Sequence, residues 1–332
     1  MGRVSFFMVD SKSLSVLACK LTMLIAVAIS SYLSMLYNCA YKGVNASDYL
    51  AAQVDKIELL KNTPSPRIIF IGGSNLAFSL DSGTIYRELK TNVVNMGLYY
   101  KFGLKYMLES VRPYLISGDY IVVVPEYVQF FDDVFFDSSD ASLDMFLITD
   151  DYSQLKNVRP ISYLKANNAI FVYNPFKSKP PSHKDEPELY ARSGFNSFGD
   201  KVAHLNVKNR TDNMFITGNG PASNKANRHV DNNALMYLAN YTYYCNSIGV
   251  KSVCVFPCFK KSMYKYDPSD VDKVEYSLRR SNVNLAPTKP SYFMYDDDCF
   301  FDGGPYHMNS LCRKTHANRY VSILRDYFRM PE

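Results

Sequence analysis

The chain has 332 residues, 47% of them hydrophobic and 21% charged, with no low-complexity tract, which is enough for one large α/β domain or two smaller ones. Its formal net charge of +5 is spread out, and no Lys/Arg run marks a nucleic-acid footprint, so no nucleic-acid partner is expected. Tyrosine and phenylalanine are abundant and Trp is absent, a composition that suits contact with sugars but decides little by itself.

The amino terminus carries the first strong signal. Residues 21–41, "LTMLIAVAISSYLSMLYNCAY", contain no charge, and their length matches the roughly 17–25 residues that cross a bilayer. Arg3, Lys12 and Lys20 precede them, opposed only by Asp10, so residues 1–20 are expected to stay cytoplasmic and everything beyond to be exported. An uncleaved signal anchor is expected over a cleaved signal peptide, because the apolar run is longer than a usual signal core and no A-x-A site follows it. That places the rest of the chain on the periplasmic or extracellular side of a cell inner membrane.

Residues 42–66 read as a stalk, with "ASDYLAAQVDKIELLKN" helical and "TPSP" a turn. "RIIFIGG" is a buried strand, apolar and β-branched. "DSGTIYRELK" is a helix with an Asp or Ser cap, "NVVNMG" a second strand, "FGLKYMLESVRPYLISG" an amphipathic helix and "DYIVVVPEY" a third strand. This β-α-β-α-β order predicts a doubly wound parallel sheet, an α/β fold of flavodoxin-like type. Residues 150–230 read as a loop-rich insertion within a domain spanning 67–332, with "YNPFKSKPPSHKDEPELY" its most Pro-rich and charged part. Pattern returns in "DNNALMYLANYTYYCNSIG", a helix, "VKSVCVFPCF", a fourth strand, and the helices "SDVDKVEYSLRRSN" and "SLCRKTHANRYVSILRDYF".

Ligands of open parallel sheets bind at the carboxyl ends of the strands. The first three strands end in "GGSN", "NMGL" and "VPEY", bringing Ser74, Gly97 and Glu126 to one rim. Late in the chain, "FFDGGPYHMN" offers Asp302 and His307 just before the final helix. A serine with an Asp/His pair is a constellation for acyl transfer. The hydroxyl attacks a carbonyl, the imidazole takes its proton and the carboxylate fixes the imidazole tautomer. The N–H groups of Ser74 and Gly97 are expected to face the oxyanion, each worth roughly 3 kcal/mol.

These residues resemble the SGNH/GDSL hydrolase superfamily. They are similar in particular to membrane-anchored bacterial proteins of the surface-polysaccharide O-acyltransferase and esterase kind. "GGSN" stands for the nucleophile block, "VVNMGL" for the glycine block and "FDGGPYHMN" for the Asp- and His-bearing block. The resemblance implies an exported acyl-ester enzyme without cofactor, acting on a polysaccharide or glycan, with a multi-pass partner delivering acyl groups if it is a transferase. Two departures stand out. The third block usually supplies an asparagine to the oxyanion hole, whereas "VVVPEY" supplies Glu126, which repels an oxyanion when ionised. Glu126 turns away, or the hole has fewer donors, or Asn75 substitutes. The acid and histidine are usually three residues apart but here five. Either Gly303 and Gly304 loop out, or His307 works in a dyad and Asp302 only shapes its loop. The alternative function is a catalytically inactive SGNH-fold protein that binds polysaccharide or serves in assembly.

Other candidates read more plainly. Gly72-Gly73-Ser74 taken alone is also a plain strand-to-helix turn. His183, His204, His229 and His316 have no partner pattern, Asp200 in "FGD" reads as a turn or cap residue, and Asp296-Asp297-Asp298 as a solvated turn. Of seven cysteines, Cys19 and Cys39 fall in or beside the anchor. Cys254 and Cys258 lack a second pair at zinc spacing, so no metal is expected. Cys299 and Cys312 either bridge their loop or remain two free buried thiols. Asn45, Asn209 and Asn240 lie in N-x-S/T sequons.

Overall fold

The computed structural model describes residues 11–43, 49–131, 134–136, 189–208, 228–266 and 268–330. Most of the expected insertion, with His183 and the sequons at Asn45 and Asn209, lies outside them.

Helix α1, Ser11–Gly43, runs for 33 residues, about 50 Å at 1.5 Å per residue. Its stretch Lys12–Ser34 is long and apolar enough to cross a membrane, and none of that stretch is buried against the rest of the chain. That stretch begins nine residues ahead of the expected residue 21. Leu14, Val16 and Leu17 extend the apolar surface on the amino-terminal side of Lys20.

Helix α2, Ala52–Asn62, leads into β1, Arg67–Gly72. After β1 come α3, Ser74–Ser79, α4, Ser82–Leu89, β2, Asn92–Asn95, α5, Leu104–Val111, and β3, Tyr120–Val124. The sequence pattern missed α3, because six helical residues carry too few turns to show a period. It also ran α5 too far. Pro113 lacks an N–H and crowds the residue before it, so the helix gives way to a single 3-10 turn at Arg112–Tyr114.

The carboxyl-terminal half supplies α6, Asn232–Ser247, β4, Lys251–Cys254, β5, Phe259–Lys260, α7, Lys261–Tyr266, and α8, Ser269–Arg280. The last elements are β6, Met294–Tyr295, and α9, Arg313–Phe328. The fourth strand, at the edge of the sheet, ends at Cys254, short of the expected run through Pro257 and Phe259. Phe259 then pairs with Met294 in a separate two-stranded sheet.

The main sheet is parallel, in the order β2-β1-β3-β4. Its centre aligns Ile69 with Val94 and with Ile121, and Val122 with Val253. Every residue of β1 is buried, as a parallel strand covered on both faces requires. Tyr320 of α9, fully buried, meets Phe70 of β1 edge-on with ring centres 5.4 Å apart, and α9 also packs on α4. At the amino-terminal edge of the sheet, Arg67 pairs with buried Asp119 at 3.1 Å. Polar anchoring at that end leaves the other end of the strands for the candidate site.

Candidate functional site

Ser74 opens α3 directly after β1, and Glu126 follows β3. Asp302 and His307 sit on a loop tied at its base by the Phe300–Met308 bridge and by the Phe301 N–H donating to the His307 carbonyl at 2.8 Å. A Cys299–Cys312 disulfide closes the same segment, with Cα atoms 5.3 Å apart.

The folded chain joins the early serine to the late histidine. Ser74 Oγ lies 3.0 Å from His307 Nε2, and His307 Nδ1 lies 2.7 Å from Asp302 Oδ2. The five-residue spacing between acid and histidine is accommodated by the glycines, and the Gly304 N–H donates to Asp302 Oδ1 at 2.9 Å. Ser74, Asp302 and His307 are half-buried, whereas Asn75, Gly97 and Glu126 are buried.

Several residues that sequence reasoning did not select hold this arrangement. Phe78, one helical turn after Ser74, stacks on the His307 ring at 4.3 Å and 24°. Ser79 Oγ donates to the Tyr306 carbonyl at 2.5 Å and accepts from the Met308 N–H at 3.0 Å. One hydroxyl thus stitches α3 to both neighbours of His307. Lys260 Nζ donates to the Asp302 carbonyl at 2.9 Å. Only the apolar spacing of "SNLAFS" hinted at these roles, and Ser79 carried no signal distinct from an ordinary helix-end serine.

Glu126 does not turn away. Its Oε1 accepts from Ser74 Oγ at 3.0 Å and from the Asn75 N–H at 3.1 Å. Gly73 is required beneath it, because a Cβ there would lie 2.5 Å from that oxygen. One expected oxyanion donor is committed elsewhere and another is half used. The Gly97 N–H donates to Asn95 Oδ1 at 2.9 Å, and Asn75 Nδ2 spends one of its two hydrogens on the Val124 carbonyl at 3.0 Å. Gly97 therefore serves packing rather than the oxyanion in this arrangement: a Cβ on it would sit 2.4 Å from Leu76 Cβ. The cause is local, since the Asn95 side chain folds forward over the turn that follows β2.

Charge in the site follows burial and pairing. Burial pushes the Glu126 carboxyl up, and the Asn75 N–H, His307 and Ser74 offset only part of that, leaving it above the ordinary carboxylate value. Burial alone would lower the His307 pKa, but the charge and hydrogen bond of Asp302, with Glu126 behind it, raise it above the ordinary imidazole value. Asp302 is held below its ordinary value: burial works the other way, and the His307 contacts and the Gly304 N–H outweigh it.

His204, His316 and Asp200 have structural partners. His204 is buried with Nε2 2.8 Å from the Met308 carbonyl, and His316 is buried with Nδ1 3.0 Å from Tyr295 Oη. His229 and the Asp296–Asp298 run are exposed. Asp200 is buried and accepts from the Ser82 N–H at 2.9 Å, from Ser82 Oγ at 2.6 Å and from Asn95 Nδ2 at 2.9 Å. Among the described residues, no three His, Cys, Asp or Glu side chains gather as a metal ion would need.

Neither the protein-family models nor the curated proteins compared with this chain give a match.

Proposed function

We propose that the chain is a membrane-tethered, SGNH-type serine acyl-ester enzyme, an esterase or O-acyltransferase acting on a surface glycan. The carrying observation is the Ser74–His307–Asp302 relay, with contacts of 3.0 and 2.7 Å. Supporting it, the main sheet is parallel with Ser74 and Glu126 just past the ends of neighbouring strands, the edge that ligands occupy in doubly wound folds. The apolar helix α1 supports a tether, and Lys12 and Lys20 near its amino end, with Arg3 ahead of it, support an external catalytic domain on an inner membrane.

In this reading His307 Nε2 takes the proton as Ser74 Oγ bonds to the acyl carbon, and the carbonyl electrons move onto oxygen. The tetrahedral intermediate collapses, the alcohol leaves with the proton from His307, and an acyl-Ser74 remains. Water or a glycan hydroxyl then attacks with His307 again as base, the water arm being an esterase and the hydroxyl arm a transferase fed by a multi-pass acyl-donor partner. Asp302 holds the imidazole with its Nδ1–H inward. No step calls for a cofactor.

Ser74→Ala in the full chain, purified in detergent, is expected to abolish hydrolysis of 4-nitrophenyl acetate with the fold intact by circular dichroism. Equal rates for variant and parent would end the proposal. The second reading, an inactive glycan-binding protein of the same fold, is favoured by Glu126 lying where an acyl oxygen would approach. It is excluded by a covalent Ser74 adduct with a fluorophosphonate probe.

A further inference from the structure

The Ser74 hydroxyl has one proton and two partners. Its Oγ lies 3.0 Å from His307 Nε2 and 3.0 Å from Glu126 Oε1. His307 Nδ1 faces an Asp302 oxygen at 2.7 Å, so Nδ1 carries a hydrogen whatever happens at Nε2. With neutral His307 and ionised Glu126, both neighbours of Oγ are acceptors, and one hydroxyl proton cannot satisfy them.

Two arrangements satisfy every contact. In the first, Glu126 is a carboxylic acid donating to Ser74 Oγ, which donates to neutral His307. In the second, Glu126 is ionised and accepts from Ser74 Oγ, which accepts from the imidazolium Nε2–H. Both contain the same number of protons and differ only by a shift along the chain Oε1–Oγ–Nε2. The Asn75 N–H on Oε1 favours the second; burial of Glu126 favours the first.

We propose that Glu126 and His307 hold one proton in common through the Ser74 hydroxyl, and that Glu126 in its acid form is a catalytic residue that leaves His307 free to act as base. This rests on the acyl-ester reading for its chemistry, though the shared proton does not. Glu126 touches the reacting oxygen directly, and as an acid it puts no negative charge beside the tetrahedral intermediate. A second proton charges the imidazole as well and silences the base. Loss of the shared proton leaves a carboxylate 3.0 Å from the nucleophile, opposing the charge that develops there.

The other titratable groups facing the pair stay in one form across the working range. Burial raises Tyr49, Tyr100 and Tyr306 above the ordinary tyrosine value of 10.0 and pushes Cys258 to about 12. Burial lowers His204 to about 3, and Asp302 stays ionised. Burial draws Lys260 below its ordinary value, and the charges of Asp297 and Asp302 work against that.

Two readouts test the proposal on the full chain in detergent: the pH profile of 4-nitrophenyl acetate hydrolysis, and titration of the His307 imidazole by nuclear magnetic resonance, assigned with a His307→Gln variant. The parent profile is expected to be bell-shaped in kcat/KM, as for two coupled protons. In Glu126→Gln, neutral at every pH, the alkaline limb is lost and the imidazole releases its proton at lower pH. Glu126→Ala, the second variant should Gln disturb folding, loses the same limb at a lower rate. Lys260→Met keeps the limb. Persistence of the alkaline limb in both Glu126 variants, or an unmoved imidazole titration, overturns the shared proton. So does a parent imidazole that titrates at or below the ordinary 6.5. Absence of hydrolysis by every chain overturns the acyl-ester reading instead, and the imidazole titration then decides the shared proton alone.

Discussion

Asp200→Asn measures how much of the site's geometry rests on a buried acid that touches none of the reacting groups. Both Asp200 oxygens face donors: Oδ1 meets Ser82 Oγ at 2.6 Å and Asn95 Nδ2 at 2.9 Å, and Oδ2 meets the Ser82 N–H at 2.9 Å. The Arg313 guanidinium stands 3.8 Å from Oδ2. An asparagine must present its NH2 to one of these donor sets, whichever way it turns. At about 1.5–3 kcal/mol for each hydrogen bond to a charged group, and with Arg313 losing its counter-charge, the loss comes to about 3–5 kcal/mol. With a urea dependence of about 3 kcal/mol per M, the unfolding midpoint falls by roughly 1–1.7 M. Equilibrium urea unfolding followed by near-ultraviolet circular dichroism reads this shift. Ester hydrolysis should fall too, because Asn95, released from Asp200, no longer fixes the turn through Gly97. A midpoint within about 0.2 M of the parent, at unchanged activity, would refute the network.

Asp302→Asn is expected to lower kcat by on the order of 10³–10⁴-fold, since the amide leaves the imidazole tautomer unfixed. Because the folded Asp302 pKa lies below the ordinary 3.8, its contribution to stability is complete above that value and disappears as pH falls through the folded value. Parent and variant thermal midpoints should therefore differ at neutral pH and converge in acid. Removing the Cys299–Cys312 disulfide, separation 13 residues, by a double Ser variant should cost about 2–4 kcal/mol of stability. Dithiothreitol should lower the parent's melting temperature and leave the double variant's unchanged. Lys56 is buried with Nζ donating to the Asn95 and Gly199 carbonyls at 2.8 and 2.5 Å, and burial lowers its pKa to about 7. The unfolded chain binds that proton up to about 10.5, so the parent gains stability over Lys56→Met as pH rises from 7 toward 10. A difference in urea midpoints that stays flat over that interval would refute the assignment.

The sheet was legible because its strands are uniform runs of apolar, β-branched residues. Ile68 to Ile71 and Ile121 to Val124 are buried on both faces, and nothing else in the sequence competes with that pattern. Ser74, Asp302 and His307 were legible as a set because each follows or precedes a recognisable element, which told where they would be but not how they would meet. Contacts between distant loops were illegible. Nothing in "NMGL" tells that Asn95 would take the Gly97 N–H, and nothing in "VPEY" that Glu126 would accept from Ser74 rather than point away. Those outcomes depend on side-chain rotamers chosen after α3, the turn beyond β2 and the loop beyond β3 have packed together. The single turn lost to Pro113 was readable in principle, since it follows from a missing N–H.

Ser74 and His307 meet across 233 positions of sequence, and that interval has a consequence for biosynthesis. The ribosome makes the strand, its serine and most of the sheet long before it makes the imidazole. A growing chain therefore has Ser74 with Glu126 alone for a partner, and on the proposed chemistry competence arrives only once the segment carrying His307 has folded. On the proposed acyl chemistry, chains interrupted before residue 307 would be inert rather than unregulated, so damage by truncation would yield silence.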